Sequence, residues 1–206
     1  MRWATAFVIC CALFLASCTA VLAPDSSEAG FERWLGADAA RGEAFARFES
    51  RLRDAGVGDV VANYQLWRVD RIAPRCIQAP YAIPPENTWA NIVPALRFLR
   101  DHVKPEIGEV EVVSAYRDPD FNACVHGAPQ SAHQSFFAMD LVPVDWRVGR
   151  EDLIASLCSV HARVGRRARI GLGIYHARRF HIDARSFRGW GDNHHAATFP
   201  CAANPA

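Results

Sequence analysis

Four widely spaced cysteines constrain the fold of this 206-residue chain more than any other feature of its sequence. Three of the seven cysteines fall within the first 18 residues, which leaves Cys76, Cys124, Cys158 and Cys201. An even number of cysteines in an exported chain predicts two disulfides. Three pairings are possible, and we expect the sequential one, Cys76–Cys124 and Cys158–Cys201. A zinc site made of all four is disfavoured, because no two of them lie within a few residues of each other.

The N-terminus predicts the export on which those disulfides depend. Arg2 is followed by an uncharged run, 3–15, which is too short to span a bilayer. The run ends in Leu-Ala-Ser-Cys18. This pattern resembles a bacterial lipoprotein signal, which implies removal of residues 1–17 and attachment of lipid to the Cys18 thiol. The resemblance therefore implies a periplasmic lipoprotein anchored to the outer membrane.

A plain secretory signal, cut after Ala20 or Ala23, is the alternative, and in both cases the mature protein leaves the cytoplasm. The stretch 18–37 is rich in Pro, Ser, Ala and acidic residues and is typical of a tether. The length that remains suits one domain with a sizeable core, which we expect to span 38–206 and to be monomeric.

The composition excludes two classes of protein. Hydrophobic residues make up 50% of the chain and charged residues 22%, a balance typical of a folded soluble domain rather than a disordered one. The 23 Lys and Arg residues are offset by 22 Asp and Glu residues, so that the formal net charge is only +1. Because nucleic-acid binding needs a concentrated basic face, we expect no nucleic-acid partner.

Apolar periodicity and the positions of Pro and Gly predict helices and strands in mixed order. The predicted helices are 38–54, 89–102, 118–124 and 152–164. The predicted strands are 64–69, 109–114, 139–142, 170–174 and 181–184. This order indicates the α+β class.

A second pattern places polar side chains inside apolar strands. Asp140 stands between Met139 and Leu141, so its side chain points to the opposite strand face and needs a partner there if it is buried. His133 precedes it by seven residues in a turn-rich loop. Imidazole and carboxylate together are suitable zinc ligands, and a catalytic zinc needs three protein ligands and one open position.

The third ligand is expected from a later strand. His181 and Asp183 alternate with Phe180 and Ile182, so both polar side chains project from one strand face. His181 could therefore reach a metal held by His133, while Asp183 supports His181 or pairs with an arginine.

Three motifs occur in order along the chain. They are Ser114-Ala-Tyr-Arg117, then Ser131-Ala-His133 with Asp140 seven residues later, and then Gly171-Leu-Gly-Ile-Tyr175 followed by Phe180-His-Ile-Asp183. Together they resemble the signature of the zinc D-Ala-D-Ala carboxypeptidases and murein endopeptidases, to which Hedgehog signalling domains are distant structural relatives. The likeness covers roughly 81–190. It implies a small, mostly antiparallel sheet that carries the zinc site, with flanking helices.

The resemblance also implies a role for each matching residue. His133, Asp140 and His181 would bind Zn²⁺, and Arg117 would bind a substrate carboxylate or stabilise the developing oxyanion. Ser131 would contact substrate or brace the loop that carries His133. The other implied roles are a substrate contact by Tyr116, proton transfer by His176, and support of His181 by Asp183. The implied activity is hydrolysis of D-amino-acid-containing peptide bonds in the peptide stems of peptidoglycan.

One position departs from the family pattern. Many members carry an acidic general base three residues before the last zinc histidine, where this chain has Arg178. Arginine cannot accept a proton at physiological pH. The alternative hypothesis is therefore a zinc-bearing but catalytically silent lipoprotein that binds peptidoglycan or an envelope protein. The His194-His195 pair is expected to be a solvated loop.

Overall fold

The computed structural model describes residues 25–70, 76 and 79–202. The proposed signal, 1–17, and the lipidation site Cys18 lie outside the described residues. No helix within the described part of the chain is both long and apolar enough to cross a membrane.

The described residues form an α+β domain around a five-stranded mixed sheet. The strands are β1 (Val110–Ser114), β2 (Ala138–Pro143), β3 (Gly171–Ile174), β4 (Phe180–Asp183) and β5 (Arg188–Trp190). Their order across the sheet is β1-β2-β4-β3-β5. The pairs β1–β2, β2–β4 and β3–β4 are antiparallel, and only β3–β5 is parallel. The expectation of a mostly antiparallel sheet is confirmed.

The helices flank this sheet. They are α1 (Glu28–Gly36), α2 (Ala39–Asp54), α3 (Val93–Phe98), α4 (Lys104–Ile107), α5 (Pro119–Cys124), α6 (Arg150–Val160) and α7 (Arg166–Ala168). A 3-10 turn, Glu86–Ile92, leads into α3, and π turns join α3 to α4 and α6 to α7. The predicted helices 89–102 and 152–164 are thus parts of longer helical segments.

Local capping explains why two predicted helices begin where they do. The Asp38 carboxylate accepts a hydrogen bond from the Ala40 N–H and so begins α2. The Asp118 carboxylate accepts from the Phe121 N–H, and Pro119 occupies the first turn of α5.

The predicted tether is wrong in its second half. Residues 28–36 form α1, which begins at the cap residue Ser27. Phe31 on this helix is only 1% exposed and packs edge-on against Phe45 and Tyr81. Because burying a phenylalanine stabilises a fold by about 2 kcal/mol, the folded unit extends to the N-terminal side of residue 38.

The predicted strand 64–69 is also wrong. The chain forms a 3-10 helix there, Asn63–Trp67, and pairs with Tyr81 only through a single bridge at Arg68. Leu66 and Trp67 are adjacent and both fully buried. A strand would point these neighbours to opposite faces, whereas a tight helical turn lets both contact the core.

Two disulfides close the fold, with the sequential pairing that the cysteine spacing led us to expect. Cys76 is bonded to Cys124 at the end of α5. Cys158 in α6 is bonded to Cys201 in the last described helical turn, so the C-terminal segment is fastened to the helical layer.

Candidate metal centre

The centre is assembled by the pairing of two neighbouring strands. In the antiparallel register of β2 and β4, Asp140 lies directly opposite His181. His133 belongs to a 3-10 turn, Ala132–Ser135, that immediately precedes β2. The Ser131 hydroxyl accepts a hydrogen bond from the His133 N–H at 3.3 Å and thereby caps this turn. The three residues predicted as ligands are thus brought together at the middle of the sheet.

The ligand atoms of the three residues form a compact triangle. The Asp140 Oδ1 atom lies 2.9 Å from His181 Nδ1 and 3.4 Å from His133 Nε2. The two histidine nitrogens are 3.1 Å apart. All three side chains are buried, and each offers one ligand atom, so the group could hold a metal ion.

The outer hydrogen bond of each imidazole fixes its tautomer. His133 Nδ1 lies 2.6 Å from the Ala115 carbonyl oxygen, and His181 Nε2 lies 3.0 Å from the Asp183 carboxylate. Both partners can only accept, so these ring nitrogens carry the hydrogens. The lone pairs of His133 Nε2 and His181 Nδ1 therefore face each other and Asp140.

Three converging electron-pair donors need a cation between them. Ligand atoms at about 2.0–2.1 Å from a tetrahedral zinc lie about 3.3 Å from one another, which matches the 2.9–3.4 Å triangle. His133 is prepared for this role, since burial and the charge of Arg117 lower its pKa to about 4 and keep it neutral. Two histidines and one carboxylate thus fit Zn²⁺, although the donor set also suits other divalent ions.

When no ion is bound, a proton on His181 supplies the positive charge that these donor atoms need. Burial alone lowers the pKa of His181, but its hydrogen bonds to Asp140 and Asp183 outweigh that effect and raise the pKa. Burial also raises the pKa of Asp183, yet its bond to His181 and the nearby arginines lower it to about 2. Asp183 therefore stays ionised and supports His181 in both states.

The second oxygen of Asp140 is occupied by two arginines. Arg117 donates to Asp140 Oδ2 at 2.6 Å and Arg179 donates to it at 2.5 Å. Both guanidinium groups also contact the Asp70 carboxylate. Although burial raises the pKa of Asp140, His133 and the two arginines hold it well below its usual value. The carboxylate is thereby kept ionised for metal binding.

The sequence motifs did not single out Arg179 and Asp70. Arg179 lies two residues before His181, on the same face of the chain as His181 and Asp183, and that alternation could have revealed it. Arg178, which occupies the position of the expected base, instead donates to the Asp145 carbonyl at 2.7 Å. Asp70 lies outside every motif and no local signal marks it.

A pocket of about 500 Å³ opens above the centre. Arg117, Asp140 and Arg179 form part of its lining. Tyr175, His176, Asp192 and His194 also line it. His194 and His195 are both exposed, as expected for a solvated loop.

Tyr116 is not in the position that a substrate contact requires. Its side chain is buried among core residues and only 8% exposed, while Tyr175 is the tyrosine at the pocket. The Ser131 hydroxyl caps the turn that carries His133 and so braces this loop.

Glycines in β3 make space behind the centre. A Cβ atom on Gly173 would lie 2.6 Å from the Trp190 ring, too close for any larger residue. Trp190 packs against the His181 ring with centroids 4.9 Å apart and donates to the Tyr175 hydroxyl at 3.3 Å. Gly173 lies between His181 on β4 and Trp190 on β5, so the glycine lets the indole reach across β3 and support the ligand histidine.

Comparison with known proteins found no matching family model, no matching curated protein and no matching solved structure.

Proposed function

We propose that this chain is an exported zinc metallopeptidase that hydrolyses D-amino-acid-containing peptide bonds in the peptide stems of peptidoglycan, as a carboxypeptidase or an endopeptidase. The observation that carries the proposal is the convergence of the His133, Asp140 and His181 donor atoms beneath a pocket that also presents two guanidinium groups. The resemblance of the three motifs supplies the substrate class. We further propose a periplasmic location and an outer-membrane anchor at Cys18.

The chain supplies most of the chemistry that such a reaction needs. A zinc ion held by the three ligands would lower the pKa of a bound water to about 7 and polarise the scissile carbonyl. Arg117 and Arg179 present fixed, permanently charged donors to a substrate carboxylate or to negative charge that develops on the carbonyl oxygen. His176 at the pocket mouth accepts and returns a proton.

The decisive experiment measures metal content and hydrolysis together. The mature chain is expected to contain about one zinc per molecule and to cleave purified muropeptides. His133→Ala is expected to lose both properties. His194→Ala, a histidine in the same pocket but outside the ligand triangle, is the matched control and should keep its zinc. Absence of metal from the wild-type protein would overturn the proposal.

A silent, zinc-bearing binding protein is the second candidate. The observation that favours it is the pair of arginines at the pocket, since Arg179 lies two residues before His181, contacts Asp140 and cannot accept a proton. This candidate is supported if zinc-loaded protein leaves muropeptides intact but co-sediments with isolated sacculi. Hydrolysis by the wild type that is lost in His133→Ala eliminates it.

A further inference from the structure

Few side chains at the pocket can accept a proton during the reaction. Arg117 and Arg179 are permanently protonated and cannot accept a proton. Asp70 and Asp140 already accept hydrogen bonds from those arginines. Burial raises the pKa of Tyr175, so its hydroxyl stays protonated. Among the described lining residues, the histidines are the groups left to act as a base.

One of these histidines has a carboxylate partner. His176 Nδ1 lies 3.1 Å from Asp192 Oδ2. His194 packs its ring on Tyr175, and burial lowers its pKa. The described residues show no carboxylate in ion-pair contact with His194, or with His126, the third histidine of the lining. His176 is therefore the lining histidine that has a carboxylate within hydrogen-bond distance of its ring.

The pairing matters because the His176 side chain is 92% exposed. An exposed imidazole samples several rotamers and both neutral tautomers. A carboxylate that accepts from Nδ1–H selects one tautomer and one ring orientation, and leaves the Nε2 lone pair free to act as a base.

The backbone on both sides of the pair is held in place. Arg150 from α6 donates to the Tyr175 and Ala177 carbonyls, the two residues that flank His176. The turn that carries Asp192 is closed by a hydrogen bond from the His194 N–H to the Gly191 carbonyl at 3.0 Å. The separation of the imidazole from the carboxylate is thus set by two anchored segments.

We propose that Asp192 is a positioning residue that holds His176 as the proton carrier of the reaction, an inference that rests on the proposed peptidase function. As the water oxygen forms its bond to the carbonyl carbon, one water proton passes to His176 Nε2. The same proton passes to the amine nitrogen as the C–N bond breaks. The imidazole returns to its neutral form, and Asp192 stabilises the intermediate imidazolium without accepting the proton itself.

The first test reads the tautomer of His176 by ¹⁵N NMR in the mature, metal-free protein, so it does not depend on activity. The wild type is expected to carry the Nδ1–H tautomer. Asp192→Ala should move His176 toward the Nε2–H tautomer that histidine prefers in water, and Asp192→Glu should restore the wild-type state. Asp54→Ala, an exposed aspartate at the end of α2, is the matched control.

The second test is a double-mutant comparison of muropeptide hydrolysis by the zinc-loaded protein. Asp192→Ala is expected to lower kcat by about 10- to 100-fold, in the range found for residues that orient catalytic or ligating histidines. His176→Ala should lower it further, by about 10²- to 10⁴-fold. Adding Asp192→Ala to His176→Ala should then have no further effect, because the carboxylate acts only through the imidazole.

The outcomes separate this inference from the proposed function. An unchanged His176 tautomer in Asp192→Ala overturns the positioning role, whether or not the protein hydrolyses peptides. Full activity of Asp192→Ala overturns the catalytic part of the inference. If the His176 tautomer changes in Asp192→Ala, but the wild type binds zinc and hydrolyses nothing, the positioning of His176 is supported and the peptidase function is overturned.

Discussion

At the scale of single residues, the candidate centre is organised by its outer hydrogen bonds. The Ala115 carbonyl and the Asp183 carboxylate each take the hydrogen of one imidazole, and this leaves the opposite nitrogen of each ring directed at Asp140. Ligands held in this way lose little freedom when a metal binds, so the binding free energy is not spent on ordering them.

Asp183 is the residue for which this argument makes the sharpest prediction. Its buried carboxylate bonds to His181 Nε2 at 3.0 Å and to Arg188 at 2.6 Å. Asp183→Asn removes the charge that makes His181 a stronger ligand, and zinc affinity is expected to fall by about 10- to 100-fold. Competition with a chromophoric chelator measures the change. Asp152→Asn, an exposed aspartate in the first turn of α6, should bind zinc like the wild type, and equal affinity for both variants would contradict the prediction.

At the scale of secondary structure, α1 shows that the folded unit includes residues that composition assigns to a tether. Phe31 is the fully buried aromatic residue of this helix, and it contacts Tyr81, Phe45 and Tyr64. The helix therefore contributes to the same aromatic cluster as α2.

Phe31→Ala tests this placement. Truncation of a fully buried phenylalanine leaves a cavity and is expected to lower the free energy of unfolding by about 3–5 kcal/mol. Glu32→Ala, at the neighbouring exposed position of the same helix, should change it by less than about 0.5 kcal/mol. Urea denaturation of the mature protein measures both. If both substitutions change the free energy of unfolding by the same small amount, residues 28–36 act as a tether and the placement is wrong.

The predicted elements were most accurate where local chemistry is strong. Asp38 and Asp118 each cap the helix that their positions predict, and the strand 139–142 has β-branched and apolar residues in a compact run. The prediction was wrong at 64–69, where Leu66 and Trp67 are both buried. Their burial depends on core partners that are distant in sequence, so no local pattern distinguishes the helical turn from a strand.

At the scale of the whole molecule, a buried histidine outside the candidate centre links stability to pH. His161, between α6 and α7, stacks on Phe187 with ring centroids 4.5 Å apart and donates from Nε2 to the Ile170 carbonyl at 3.0 Å. Burial lowers its pKa below the usual 6.5, although the Ile170 bond opposes this. The unfolded chain thus binds a proton at this residue more readily than the folded protein does.

The sign of the pH effect follows from that difference. The stability that neutral His161 provides is fully present above the unfolded pKa of 6.5 and is lost as the pH falls below it. His161→Gln keeps a donor but does not titrate. The difference in unfolding free energy between the wild type and this variant should therefore shrink between about pH 7.5 and about pH 5.5. His195→Gln, at an exposed position, serves as the control, and a pH-independent difference for His161→Gln would contradict the prediction.

The candidate site could be predicted in its ligands but not in its surroundings. His133, Asp140 and His181 were predicted because each is a polar residue in an apolar or turn context, in an order that resembles a known signature. Arg179 alternates with His181 and Asp183 but belongs to none of the motifs, and no local pattern marks Asp70 or Asp192. Charged residues are common at surfaces, and only the fold shows which of them face a buried carboxylate or an imidazole.

By itself, the sequence determined the α+β class, the positions of most strands and the three residues that could hold a metal, whereas it left three disulfide pairings open. These features depend on the alternation of side chains along a strand, on capping groups and on residue chemistry, all of which are local. Only the tertiary structure decided the register that sets Asp140 opposite His181, the arginines on Asp140 and the pairing of His176 with Asp192. Those contacts join residues that are distant along the chain, and their formation depends on how the whole core packs.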